Sequence, residues 1–178
     1  MSPISKHVIL VSAFIAFVIY LTIHEGLHMV TSIVYGEFER FVIHPYGFEV
    51  IFKTPVALRE GFKWFVISGM SNIVTPILGL LLLGSIHRFI KKPILISATV
   101  YWLTIFFLIS DPLNLSVGPF LYGGDAYGIV EGLNVPIYVV QFIGFIVFLI
   151  NRELIAVKLL PAYNITTRHP VFVPWLKR

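Results

Sequence analysis

The chain of 178 residues contains no cysteine. That absence excludes a disulfide framework, a thiolate metal site and a cysteine nucleophile, so any metal must be held by His, Asp, Glu or backbone oxygen. Charge is scarce too. Asp, Glu, Lys and Arg make up 12% of the residues, against about 25% in soluble domains. Hydrophobic residues make up 57%, and the mean hydropathy is +0.90. A water-soluble globule of this length cannot hide that much apolar surface. There is no low-complexity tract and no internal repeat, which argues against a repeat array. The net charge of +4 comes from 13 Lys and Arg against nine Asp and Glu. Its basic residues gather at the ends of apolar runs, a placement that suits phospholipid headgroups rather than nucleic acid.

What is present is a series of apolar runs close to the length of about 20 residues that spans a hydrocarbon core of about 30 Å. The first runs from Val8 to Ile23 and continues through His24, Glu25 and His28 to Tyr35. A second extends from Trp64 to Ile86, a third from Pro93 to Ile109, ended by Ser110-Asp111-Pro112, and a fourth from Pro136 to Ile150, ended by Asn151-Arg152. Lys6 precedes the first run, but no small-x-small cleavage site follows, so the run is expected to be a retained helix rather than a signal peptide. The reading is an all-α polytopic membrane protein with about four transmembrane helices, at 8–35, 64–86, 93–109 and 136–150. Together they form one membrane-embedded core over 1–150, followed by a basic C-terminal tail over 151–178.

Two connections stand out. Between the first two helices, the stretches 37–43 and 48–53 flank His44-Pro45-Tyr46-Gly47. β-Branched and aromatic residues around such a turn predict a short β-hairpin, packed at the membrane boundary because open strand edges cannot face lipid. The stretch 112–134, rich in Gly, Pro, Asn and Tyr, predicts an irregular, buried or re-entrant loop. Basic residues set the orientation: nine fall on the side of the N-terminus, the second-to-third connection and the tail, and four (Arg40, Lys53, Arg59 and Lys63) on the other. That asymmetry places both termini in the cytoplasm of a multi-pass protein of the cell membrane. The tail, with Pro161, Pro170 and Pro174, is expected to bind a partner or to lie on the membrane surface.

The residues that carry chemistry begin with His24-Glu25-Gly26-Leu27-His28, an H-E-x-x-H motif. On a helix the two histidines share one face and can offer imidazole nitrogens to one Zn²⁺, with Glu25 beside them to take a proton from water. Three such side chains within an apolar helix cost several kcal/mol or more unless they meet partners, and a metal ion would satisfy all three. A catalytic zinc commonly has three protein ligands, so a third should arrive from elsewhere. Asp125, in an apolar stretch without a basic residue between Lys92 and Arg152, leads the candidates. Its alternative role is to cap a helix starting near Ala126. Asp111 is second, although Ser-Asp-Pro after a helix is typical of a turn, and His44 and Glu49 in the hairpin follow. Asn72 can donate to an oxyanion or to substrate backbone, or serve as packing glue between helices. Asn114 can orient an extended substrate strand or form a turn.

H-E-x-x-H at the end of a first core helix, then Gly36 and a hairpin-like segment, a helix with an embedded Asn72, and a Gly-flanked Asp125 resemble the site-2 protease class of intramembrane zinc metalloproteases. The layout is equally similar to the small four-helix zincin-type peptidases. The likeness spans residues 8 to 150. It implies His24, His28 and Asp125 as zinc ligands, Glu25 as general base, and a transmembrane or membrane-associated protein as substrate. The chain reads Gly124-Asp125-Ala126 where that class usually has Leu-Asp-Gly. Pro112-Leu113-Asn114 matches its Asn-Pro-x-Pro pattern poorly, and Ser68-Gly69-Met70-Ser71-Asn72 keeps the Asn but lacks the usual Pro. A substrate helix must unwind before attack, and the strand from Phe48 to Lys53 can receive it by edge pairing. The competing class is a non-catalytic membrane protein that binds or transports a metal. Nothing in the sequence addresses oligomeric state.

Overall fold

A computed structural model of the chain describes residues 5–45, 47–122 and 124–176. Helix α1 spans Lys6–Val34, a hairpin of β1 (Phe38–His44) and β2 (Gly47–Phe52) follows, and α2 spans Lys63–Gly84. A short α3 (Ile86–Ile90) leads into α4 (Ile94–Val117), then α5 (Gly124–Leu133) and α6 (Ile137–Leu154). A π-helical stretch over Ile155–Leu159 carries the chain into α7 (Leu160–Ala162). α4 is the hub, packing against α1, α2, α5 and α6.

α1 has its polar and small residues inside and its large apolar ones outside. Ser12, Ala16, Tyr20, His24, His28 and Ser32 are buried at every fourth position, one stripe along one face. Leu10 and Phe14, by contrast, are each 68% exposed, while Ser12 is fully buried. This is the distribution expected where the surroundings are as apolar as the side chains and helices associate through small and polar contacts. Three helical stretches are long and apolar enough to cross a membrane: Lys6–Val34, Lys63–Gly84 and Ile94–Phe120. The fold is thus mostly helical with one small hairpin, and is compatible with a membrane protein.

α1 ends where Gly36 permits it. Gly36 adopts φ +72°, its N–H bonds to Ile33 O and the Glu37 N–H to Ser32 O. This paired closure satisfies the last carbonyls of a helix and favours glycine at the left-handed position. The antiparallel hairpin pairs Phe38 with Phe52 and His44 with Gly47, with an irregularity between Phe38 and Arg40. It lies within a residue of the expected strands; Tyr46 of the expected turn lies outside the described residues. β2 packs on α1, and Val50 is its buried residue.

Two boundaries differ from expectation. The third helix does not stop at Ile109; α4 runs through Asp111 and Pro112 to Val117. A proline inside a helix removes the N–H that would bond to the carbonyl four residues earlier. Here the amide of Asn151, from α6, donates to that carbonyl, Leu108 O, at 2.7 Å. A neighbouring helix has replaced the missing bond, as apolar surroundings require. The expected loop over 112–134 is accordingly mostly helical: the end of α4, a 3-10 turn at Gly118–Phe120, and α5. The fourth helix likewise continues beyond Ile150. Asn151 and Arg152, expected as a polar flank, are buried, and Ile155, Leu159 and Leu160 join Leu83, Ile86, Val100 and Leu108 in one apolar cluster. The first part of the expected tail is therefore part of the bundle.

α5 approaches α2 at backbone distance. A Cβ added at Gly132 would stand 2.1 Å from Phe65 N, and one at Gly128 would stand 1.9 Å from Ser68 Oγ. Only residues without side chains allow this approach, and it carries Asp125 to the α1–α2 interface.

Candidate metal centre

His24 and His28 lie one turn apart on the inward face of α1, with their Nε2 atoms 3.2 Å from each other. Asp125, at the start of α5, brings Oδ1 to 3.2 Å from His28 Nε2 and Oδ2 to 3.4 Å from His24 Nε2. These three residues form a group able to hold a metal ion. The sequence placed the two histidines together by their spacing; the fold adds the acid from a distance of 97 residues.

The second nitrogen of each imidazole is tied. His28 Nδ1 donates to Ile67 O at 2.7 Å, which fixes its proton there and leaves the Nε2 lone pair facing the group. His24 Nδ1 is 2.9 Å from Asp111 Oδ1. The angle is too bent for a well-directed hydrogen bond, and we read the contact as a carboxylate that selects the tautomer and orients the ring. Asp111 is fully buried and held from two other sides: Tyr20 Oη donates to Oδ1 at 2.5 Å, and Thr75 Oγ1 donates to Oδ2.

The donor set fits a tetrahedral ion. Two ligand atoms each about 2.05 Å from such an ion stand about 3.3 Å apart; the two imidazole nitrogens are 3.2 Å apart, each is reached by a different oxygen of Asp125, at 3.2 and 3.4 Å, and one ligand atom from each residue lies within 4.8 Å of the other two. Two imidazole lone pairs pointing at each other and at a carboxylate repel unless a cation or proton lies among them. Glu25, Asp111 and Asp125 also gather here without Lys or Arg in any ion pair with them among the described residues. A divalent ion offsets that accumulation of negative charge.

Glu25 Oε1 is 3.9 Å from His24 Nε2, beside the ligand group but outside it. β2 packs on α1, so the hairpin runs alongside the centre. Asn72 borders it: Nδ2 donates to Asp125 Oδ2 at 2.9 Å, to Ser68 O at 2.9 Å and more weakly to Ser71 Oγ at 3.2 Å. Both amide hydrogens are thereby engaged, so in this conformation Asn72 holds the Asp125 carboxylate and presents no free donor. Asn114 accepts from Tyr122 Oη, with no hydrogen bond to the triad among the described residues. His44 and Glu49 meet each other on the hairpin, 2.8 Å apart.

Sequence reasoning ranked Asp111 as a substitute ligand and gave no role to Tyr20, Ser71 or Thr75. Ser71 Oγ is 3.0 Å from His28 Nε2. Tyr20 was within reach, since it precedes His24 by four residues on the same helical face. Thr75 and Asp111 had no local signal.

Beside the centre, an apolar cavity of about 430 Å³ between α2, α4, α5 and α6 extends from Asn72 and Pro112 to Val147. Compared with known proteins, the chain matches no family model, no curated protein and no solved structure.

Proposed function

We propose that the chain is a membrane-embedded zinc metallopeptidase that hydrolyses peptide bonds of membrane-associated proteins. The single observation carrying this reading is the convergence of His24, His28 and Asp125 to within reach of one metal ion, with a further carboxylate, Glu25, immediately beside it. Two imidazoles and one carboxylate are a donor set that zinc prefers, and three protein ligands leave a fourth position for water.

Zinc bound there supplies a Lewis acid that polarises a carbonyl and acidifies water. The protein's own groups do the rest. Glu25 takes a proton from the attacking water and returns it to the departing amine. Ile67 O and Asp111 hold the imidazoles, and Asn72 holds Asp125. β2 supports the proposal that an unwound substrate segment pairs along the hairpin, and the apolar cavity next to Asn72 offers room for one of its apolar side chains.

In this reading α6 (Ile137–Leu154) spans the bilayer with the three long apolar helices. An even number of crossings is supported by a cavity of about 310 Å³ that Ile9, Ile94, Ser97, Tyr163 and Ile165 line together. The start of α1, the start of α4 and the tail thus share one end of the bundle. The excess of basic residues at that end assigns it, in this reading, to the cytoplasmic side.

The test measures zinc content of the purified protein and cleavage of a model membrane helix. Wild type binds zinc and cleaves, whereas Glu25→Gln binds zinc while cleavage falls on the order of 10²- to 10⁴-fold. Unchanged cleavage in Glu25→Gln, or wild type without zinc, refutes the assignment.

A further inference from the structure

The two ends of the bundle differ in charge. The end that holds the hairpin mixes signs, with Glu37, Glu39, Glu49 and Glu60 set among Arg40, Lys53, Arg59 and Lys63. At the opposite end, Lys6, Arg88, Lys91, Lys92, Lys158 and Arg168 are all exposed. The one acid there, Glu153, is already occupied. Its carboxylate accepts from Arg152 Nη1 at 2.6 Å, from the Trp175 N–H at 3.0 Å and from the Leu176 N–H at 3.0 Å.

Those bonds belong to a clamp. Arg152, only 3% exposed, donates from Nη2 to Pro170 O at 3.1 Å and to Val173 O at 2.5 Å, and from Nε to Val171 O. Its guanidinium also lies 4.2 Å from the centre of the Trp175 ring. The clamp folds the segment from Pro170 to Leu176 back onto the end of α6. With its backbone groups used in this way, the segment turns its apolar side chains outward: Val171, Phe172, Val173, Trp175 and Leu176 are all exposed. Apolar and aromatic side chains held outward among cations with no available acid match the interfacial zone of an anionic bilayer leaflet. A neutral protein surface would match the apolar residues but leave the six cations unused, and the long apolar helices that end here already bring this end of the bundle to a bilayer leaflet.

We infer that the clamped tail is an interfacial anchor for anionic phospholipid, in which Phe172, Trp175 and Leu176 enter the acyl boundary and the surrounding Lys and Arg side chains meet lipid phosphates. The inference rests on the membrane placement of the long helices and is independent of hydrolysis.

The absence of native cysteine allows a clean test. Leu176→Cys carries an environment-sensitive fluorophore in the full-length protein, reconstituted into vesicles of phosphatidylcholine alone or with phosphatidylglycerol; Ile43→Cys in the hairpin is the control. The label at 176 reports an apolar environment and is quenched by shallow spin-labelled lipid, more strongly in anionic vesicles, and the difference shrinks as salt rises. Arg168→Gln, outside the clamp, lowers the insertion constant in anionic vesicles roughly fivefold, the effect of one basic residue near the surface. A water-like signal in both compositions, an equal signal in both, the same response at residue 43, or a signal that tracks protein density rather than lipid charge (the mark of contact between copies) overturns the anchor.

Discussion

Asp111→Asn tests whether the buried carboxylate behind His24 organises the metal centre. Asp111 accepts from the Tyr20 and Thr75 hydroxyls and lies 2.9 Å from His24 Nδ1. A carboxylate accepts at both oxygens and carries charge toward His24, but an asparagine of nearly the same shape is neutral and offers one accepting oxygen and a donating NH₂ group. The Thr75 hydroxyl, which also has Ser71 O within 2.9 Å to donate to, can turn to accept from that NH₂ group, so the cost in stability is the change of the Tyr20 bond from a charged to a neutral acceptor, about 1 kcal/mol. The metal is affected separately, because the His24 ring loses the charge that selects its tautomer. Removing such an outer partner weakens metal binding by about 10- to 100-fold. Competition for zinc against a chromogenic chelator in detergent measures the second effect, and thermal unfolding with and without zinc measures the first. A lower unfolding temperature with unchanged zinc affinity would show that Asp111 only fills and hydrogen-bonds the core, and the positioning role would be abandoned.

His28→Ala and Asp125→Ala each reduce bound zinc from roughly one ion per chain to near none, checked by elemental analysis of purified protein; full retention in either removes that residue from the ligand set. Gly132→Ala forces α5 away from Phe65 of α2, costing about 1–3 kcal/mol, and because Asp125 rides on α5, zinc affinity falls with it; stability loss with unaltered affinity would show that α5 adjusts without moving Asp125. Asn151→Leu strips Leu108 O of its substitute donor and destabilises the fold by about 1–3 kcal/mol, read by unfolding in detergent, whereas Asn151→Gln recovers part of the loss. At the hairpin end, the Lys63 ammonium 2.6 Å away and the Thr54 hydroxyl hold the Glu37 carboxyl below its ordinary value. A depressed carboxyl stabilises fully above its unfolded value and loses that contribution as pH falls through the folded one. The wild-type unfolding temperature therefore declines on the acid side more steeply than that of Glu37→Gln, and parallel profiles would count against the pair.

What the sequence determined by itself is what depends on neighbours along the chain. Helical spacing sets His24 and His28 on one face, β-branched and aromatic runs around Pro45 and Gly47 make the hairpin, Gly36 ends α1, and apolar length marks the helices that can cross a membrane. Asp125 could be ranked first among the possible third ligands because no basic residue is near it in sequence, but its arrival at the histidines was decided by Gly128 and Gly132 packing onto α2. Only the tertiary structure converted Asp111-Pro112 from an expected turn into the middle of α4, because the donor that replaces the missing N–H is Asn151, 39 residues later. It likewise showed Asn72, for which the sequence left oxyanion donor and interhelix glue open, bonded across to Asp125, and turned Arg152 from a flanking charge into the centre of a clamp. The physical reason is the same in each case: local preference is written in short-range sterics and periodicity, whereas a buried polar group takes its role from whichever partner the packing of other helices brings within hydrogen-bond reach.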